Sequence, residues 1–388
     1  MRVCAWSSDK RVEDETMTAP ANDPSTWTPK ADRPPPGISI GAIAWLRENL
    51  FSSWFNAILT LLSVYLLWSV ITPLLDWAIF DSVTSGSSRD DCAGAGGACW
   101  TIVSVRWHQI LYGFYPEAEH WRANLAFALL LVALYYGLYE KSIGRRYGLW
   151  FVCAYPVIVY ALLYGGFAGL PYVESGRWGG LLLTLIAGVT GIAFSIPFGV
   201  VLALGRRSEL PVISMLCTVF IEFIRGVPLI TLLFFGTIML PLFLPEGWNI
   251  DVYLRVAVAV CFFSSAYMAE VIRGGLQAIP KGQYEAAAAM GLGYWKMMRL
   301  IILPQALRVS IPGIVNSSIG LYKDTTLVSL VGLFDLLGMA RAINADAKWM
   351  GLEIELYAVI AIIFFISCFA MSRYSLWLED KLAKGDEH

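Results

Sequence analysis

Six charged residues lie inside long apolar runs: Glu222 and Arg225, Glu270 and Arg273, and the neighbours Lys323 and Asp324. A Lys, Arg or Asp at the centre of a membrane helix costs about 2.5–3.5 kcal/mol on insertion scales, so each needs a partner or a use. Residues three apart share a helix face, so Glu222–Arg225 and Glu270–Arg273 can satisfy themselves as ion pairs within or between helices. The other reading is a polar passage for a zwitterionic solute. That passage needs both signs of charge and hydrogen-bonding hydroxyls, and Thr325 and Thr326 follow Lys323 and Asp324 to supply them. Arg225 precedes Gly226 and Pro228, a combination that can break a helix where it faces a cavity. For Glu270 and Arg273, close to the end of their run, the structural pairing is preferred.

A second group follows the sixth apolar run. Residues Gly282 to Ala306 read GQYEAAAAMGLGYWKMMRLIILPQA. The alanines after Glu285 predict one or two helical turns. Gly291 and Gly293 can end that helix, because glycine accepts the left-handed cap conformation. Trp295, Met297, Met298, Leu300, Ile301 and Ile302 then alternate with Lys296 and Arg299 as an interfacial piece. Pro304 is expected to break or redirect the chain into the next span. An acidic Glu285 near a helix amino terminus stabilises it and can meet a basic group on a partner, while small alanines permit close approach.

Cysteine and histidine chemistry is sparse. Of seven cysteines, Cys153, Cys217, Cys261 and Cys368 sit in apolar runs as bystanders, while Cys92 and Cys99 flank a short glycine-rich stretch. Those two form a disulfide if their compartment is oxidising and geometry permits, or remain two thiols in a loop. No two of the three histidines, His108, His120 and His388, are spaced to share a metal, and no metal site is expected. No Gly-Lys dipeptide occurs, so the phosphate-cradling loop of ATPases is absent from the sequence.

The elements that must position these groups follow from composition. The chain is 57% hydrophobic and only 15% charged, against about 25% in soluble domains. Mean hydropathy is +0.61. The bilayer explains the deficit, as well as the 34 glycines and 18 prolines, which membrane helices tolerate. A net charge of −2 gives no reason to expect nucleic acid. Apolar runs of about 20 residues predict eight spans, near 55–80, 125–138, 149–170, 180–204, 211–244, 256–272, 309–333 and 354–375. The second is short and the fifth long enough to be tilted or broken. Lys30, Arg33 and Arg47, then Lys141, Arg145 and Arg146, then Arg206 and Arg207, then the loop from Arg273 to Arg308, then Lys381 and Lys384 all fall on one side. By the positive-inside rule both termini are cytoplasmic. The segment 81–121 then lies outside. Residues 1–50 contain no apolar signal segment, and residues 1–40 read as mostly disordered, with Met17 a possible start.

The pattern Glu285, Ala286, Ala287, Gly291, Ile301, Leu303 and Pro304 resembles the cytoplasmic signature of bacterial binding-protein-dependent ABC permeases, at full spacing. Trp178-Gly179-Gly180 with Thr184-Leu185, Phe223 to Pro228, Ala266-Tyr267 with Glu270, Arg273, Gly274 and Gly275, and Asn316 with Lys323 to Leu327 are similar to the permeases for polar amino acids. Val227 departs from the threonine usual there. The resemblance covers residues 178 to 377, about half of the chain, and the spans before it resemble the larger permease of general L-amino-acid systems. It implies an all-α polytopic membrane protein of about eight transmembrane helices. Residues 1–50 are then a cytoplasmic segment, 51–177 three extra spans with the external loop 81–121, 178–379 a five-helix ABC importer permease core with coupling loop 282–306, and 380–388 a tail. It further implies an inner-membrane location and no catalysis or cofactor in this chain, with ATP and magnesium held by a partner ATPase dimer. The other implied partners are a second, homologous permease and a periplasmic amino-acid-binding protein. Gly282, Gln283, Glu285, Ala286, Ala287, Gly291, Leu303 and Pro304 would dock the ATPase; Arg225, Asn316, Lys323, Asp324, Thr325 and Thr326 would line the solute path. An ion-coupled transporter or channel acting alone is the competing expectation; a membrane enzyme would need a His, Asp or Cys cluster that the sequence lacks.

Overall fold

The computed structural model describes residues 41–139 and 145–385. The expected disorder of residues 1–40, the alternative start Met17, and the loop charges Lys30, Arg33 and Lys141 lie outside them. The chain divides into two compact units, 1–74 and 75–388. In the first, α1 (Ala42–Asn49) precedes α2 (Trp54–Leu75), an apolar helix with no buried residue. Its side chains are apolar on every side, as in a helix surrounded by lipid or by another chain.

In the second unit, helices α3 (Thr101–Tyr112), α4 (His120–Leu138) and α5 (Arg145–Tyr164) precede α6 (Gly180–Arg206). Then come α7 (Pro211–Gly226), α8 (Leu229–Phe234) and α9 (Val252–Ala278). The short α10 (Lys281–Ala289) and α11 (Tyr294–Met297) lead into α12 (Leu303–Asp324), followed by α13 (Leu336–Asn344) and α14 (Glu353–Gly385). Helices α6, α9 and α12 pack on one another at the centre. The α4–α5 pair covers α6 on one side, α7 lies against α6 and α9, and α14 lies against α12 and α13.

All eight apolar segments are helical, but not alike. Among the described residues six helices are long and apolar enough to cross a membrane. The fifth segment is broken: Pro211–Gly226 and Leu229–Phe243 meet at 103°. The cause is local, because Val227 is held extended before Pro228, whose ring excludes the helical conformation from the residue preceding it. The third segment ends at Tyr164, short of the expected 170, because Gly165 and Gly166 turn the chain with positive φ. The second is extended at its amino end by residues 117–124, to 22 residues. The seventh begins well before Val309. Residues 294–331 form one helical run, so Pro304 neither breaks nor redirects the chain. It follows directly on a π turn over Met298–Ile302, whose widened backbone leaves room in the run for a residue without an N–H.

The segment 81–121 is more than a loop. Its helix α3 is packed against α6, α13 and α14, where Ile102 and Ile110 join Leu336, Met339, Ile343, Trp349 and Leu356 in an apolar cluster. Gly180 fixes this junction. Its φ is +61°, and a Cβ there would lie 2.1 Å from the Ile110 carbonyl oxygen, so only glycine fits. Beside it, Asp335 caps α13 by accepting N–H bonds from Gly338 at 2.9 Å and Leu337 at 3.1 Å. Burial pushes the Asp335 carboxyl up to about 6, against those N–H bonds, which favour its ionised form.

Candidate functional site

The motif of residues 282–304 presents an exposed surface built on α10. The helix ends in a double cap: the Gly291 N–H donates to the Ala288 carbonyl (2.9 Å) and the Leu292 N–H to the Ala287 carbonyl (3.2 Å). This six-to-one and five-to-two pairing needs a left-handed residue at its centre, and Gly291 supplies φ +73°. Ala287 is buried toward the bundle, whereas Gly282, Gln283, Glu285, Ala286, Gly291 and Pro304 are exposed and Leu303 is half-buried. The two alanines of the motif therefore divide their work: Ala287 seats the helix, and Ala286 stays on the outer surface. The Tyr284 hydroxyl donates to the Leu276 carbonyl at the end of α9 (3.3 Å) and accepts from Arg207 (3.5 Å). Gln305 Nε2 donates to Gln283 Oε1 (3.3 Å). Met290 and Trp295, 81% and 73% exposed, extend the outer face with apolar surface.

Just inside this end, one carboxylate gathers three helices. Glu270 of α9 receives Arg206 of α6 at 2.6 Å, Arg273 of α9 at 2.7 Å and Arg225 of α7 at 3.7 Å. Arg206 also reaches Glu222 at 2.8 Å. The sequence spacing correctly offers Glu270–Arg273, but Glu222–Arg225 do not pair with each other. Arg206 intervenes; it is the last residue of α6, where the sequence suggests only a loop charge. Arg225 also stacks its guanidinium over the Tyr267 ring, 5.5 Å from the centroid.

Tyr267 lines a cavity of 330 Å³ between α6, α9 and α12. The other walls include Ser195, Phe263, Ser264, Asn316, Ser317 and Asp324. The hydroxyls of Ser195 and Ser264 are spent on carbonyls of their own helices. Among the described residues, Asn316 and Asp324 make no side-chain hydrogen bond, so a carboxamide and a carboxylate remain available to an occupant. The volume lies at the small end of ligand pockets, which run about 300–1,000 Å³.

Of the six residues expected along a solute path, the cavity therefore takes two, Asn316 and Asp324, with Arg225 reaching it only through Tyr267. Lys323 is exposed on α12, outside the cavity lining. The Thr325 and Thr326 hydroxyls close the helix end, donating to the carbonyls of Tyr322 and Lys323 at 2.8 Å. Ser195, Ser264, Tyr267 and Ser317 are among the lining residues that sequence reasoning missed as site residues; a serine in an apolar run carries no signal of which way it faces.

Cys92 and Cys99 are joined by a disulfide, their Cα atoms 5.8 Å apart. The Cys99 N–H donates to the buried Glu355 carboxylate of α14 (3.1 Å), which ties the segment to the core. His108 and His120, separate in sequence, stack near Tyr112 with their rings 6.1 Å apart. No group of three or more metal-ligating side chains occurs among the described residues.

Residues 195–384 match the family described as binding-protein-dependent transport system inner membrane component. The inner membrane amino-acid ABC transporter permease protein YhdY of Escherichia coli (strain K12) is 50% identical over 356 residues, 91% of this chain and 96% of that protein. The glutamate/glutamine/aspartate/asparagine transport system permease protein BztC of Rhodobacter capsulatus is 41% identical, again covering 91% of this chain and 96% of that protein. The probable glutamine ABC transporter permease protein GlnP of Bacillus subtilis (strain 168) is 34% identical over 202 residues, covering 52% of this chain and 91% of that protein. This multi-pass inner membrane protein belongs to the amino-acid ABC transporter permeases.

Proposed function

We propose that this chain is one of two paired permease subunits of an importer that moves amino acids into the cytoplasm, driven by ATP hydrolysis on a separate subunit and supplied by a soluble binding protein. The observation that carries this is α10: a short, capped, outward-facing helix seated on the ends of α6 and α9. It has the form of a handle for a partner, and the sequence lacks a phosphate-cradling loop of its own. Gly282, Gln283, Glu285, Ala286, Met290 and Gly291 form the face that meets the ATPase, with Leu303 and Pro304 behind them. Both termini lie on the same, cytoplasmic side.

The cavity beneath suits a small zwitterion. Asp324 attracts an ammonium group, Asn316 can bond either end, and the Arg225 guanidinium behind Tyr267 keeps a positive potential toward the docking end. The exposed positions Pro312, Asn316 and Lys323 follow one stripe of α12. A lysine and a carboxamide in mid-span are costly against lipid, so this stripe faces the second permease and the water-filled path between the two. The name of BztC supports acidic and amide amino acids as cargo. The test is uptake of labelled amino acids by vesicles holding this chain, a second permease and an ATPase, with binding protein outside. ATP-dependent uptake competed by unlabelled glutamate and glutamine is expected. Equal uptake without ATP or without the ATPase would return the chain to the class of autonomous transporters.

A further inference from the structure

A second cavity lies in the unit's other polar region, at the junction of the segment 81–121 with the turn between α13 and α14. It measures 650 Å³ and is walled by Ser87 to Asp90, Val105, Arg106 and Ala347 to Trp349. Two stretches of chain more than two hundred residues apart thus build one concavity, and both are fixed. On one side, the Asp91 carboxylate accepts the Ser87 and Ser88 N–H groups at 2.7 and 2.9 Å, and the Cys92–Cys99 disulfide closes the turn. On the other, Trp349 is buried in the α3–α13–α14 cluster, and the Asp346 carboxylate accepts the Lys348 N–H while pairing with Arg106 across the junction.

Arg106 and Asp346 neutralise each other. Arg89, Lys348 and Asp90 remain as the other charged residues of the wall. Arg89 and Lys348 are exposed, and neither forms a salt bridge among the described residues. The Arg89 guanidinium lies near Gly351, where a Cβ would come 3.5 Å from its Nη2. A concavity whose wall sets Arg89 and Lys348 against the single unpaired carboxylate of Asp90, the neighbouring Asp91 being turned to the Ser87 and Ser88 N–H groups, recruits carboxylates and raises the rate of encounter with an acidic surface.

We infer that this concavity is a docking point for an acidic surface of the binding protein, with Arg89 and Lys348 taking its carboxylates. The inference rests on the transport reading given above and adds the place of contact. Two observations select this occupant. The family is defined by dependence on a binding protein, which must meet the permease on the face opposite the ATPase. Just beyond the wall, the turn that follows Asp90 is closed by the Cys92–Cys99 disulfide, a bond that persists in the oxidising compartment where such proteins work. The family match begins at residue 195, so one wall comes from the segment that precedes the shared core. The site would therefore belong to the long permeases rather than to the short ones.

The experiment measures uptake by vesicles holding the complete complex while the binding protein of the same system is titrated. R89E/K348E should raise the half-saturating binding-protein concentration about tenfold, since reversing charges at a steering site acts on association. Disulfide content and basal ATP hydrolysis should be unchanged. R89Q/K348Q should give a smaller rise and lose most of the salt dependence shown by the wild type. A photo-crosslinker at Ala347 should capture the binding protein through an acidic segment, identified by mass spectrometry. The site is overturned if R89E/K348E keeps the wild-type half-saturation, or if the crosslink goes only to the other permease or to lipid. A wild-type complex with no ATP-driven, binding-protein-dependent uptake would overturn the transport reading itself, and the site with it.

Discussion

The cap at Gly291 offers the sharpest test of how the docking helix is made. A nine-residue helix such as α10 is marginal on its own, and the two cap bonds that close it depend on φ +73° at Gly291. No atom lies within 4 Å of a Cβ built at this position, so a side chain meets open space and only the backbone objects. A left-handed conformation costs an L-residue about 1–2 kcal/mol, and valine, being β-branched, costs at least the middle of that range. About 1.4 kcal/mol is a tenfold shift toward the frayed form. Asparagine tolerates the left-handed region and should lose only about twofold. Amino acid taken up per ATP hydrolysed, measured in vesicles with the complete complex, should therefore fall about tenfold for Gly291→Val and little for Gly291→Asn. Insertion and expression should be normal for both. Normal coupling in the valine variant would refute the docking role. Equal damage by asparagine and valine would show that bulk on the partner-facing surface matters, and the backbone argument would fail.

Removing the Glu270 carboxylate by Glu270→Gln leaves Arg206, Arg225 and Arg273 facing one another. Fully buried pairs lose about 3–5 kcal/mol in this way; with some solvent access here about 2 kcal/mol is expected, read as a lowered melting temperature in detergent and partly restored by Arg273→Gln. An unchanged melt would sink the idea that this carboxylate holds α6, α7 and α9 together. The Asp335 carboxyl, raised by burial to about 6 when folded against about 3.9 unfolded, makes the folded chain bind the extra proton. Its contribution is then favourable below about pH 4 and is lost as pH rises through 6, a difference on the order of 3 kcal/mol. Melts from pH 4 to 8 should show that trend in the wild type minus Asp335→Asn difference; parallel curves would refute it. Replacing Cys92 and Cys99 by serine opens a link spanning seven residues, worth about 2–3 kcal/mol by loop entropy, and should loosen α3 in hydrogen exchange. Unmodified thiols on both cysteines of protein purified without reductant would show that the bond is absent in the cell.

The sequence makes the spans legible because the period of burial is replaced by continuous hydrophobicity, a signal that needs no partner to be read. Gly291 and Pro228 were legible for the same reason, since their backbone rules are local. What stayed hidden depends on a second segment. Thr101–Tyr112 alternates apolar and polar residues and passes for a loop until Leu336, Met339 and Leu356 are seen to cover it. Arg206 could not be matched to Glu270, 64 residues away. Asn316 and Asp324 were named with Lys323, Thr325 and Thr326 because they are neighbours in sequence, yet helical rotation sends Lys323 outward and leaves Asp324 at the cavity.

One helix connects α10 to the cavity. Leu276, whose carbonyl holds Tyr284 of α10, the Glu270 carboxylate and the cavity-lining Tyr267 all belong to α9. From Tyr267 to Leu276 is nine residues, about 14 Å of helix axis. A displacement of α10 is therefore passed along a rod, with no need of a chain of small rearrangements. Glu270 binds α6 to that rod directly and α7 through Arg225. Beyond Val227 the chain turns by 103° into α8, which packs on the same rod nearer its other end, beside Tyr253 and Val256. Helices α7 and α8 therefore both ride on α9, joined by the extended residues Val227 and Pro228.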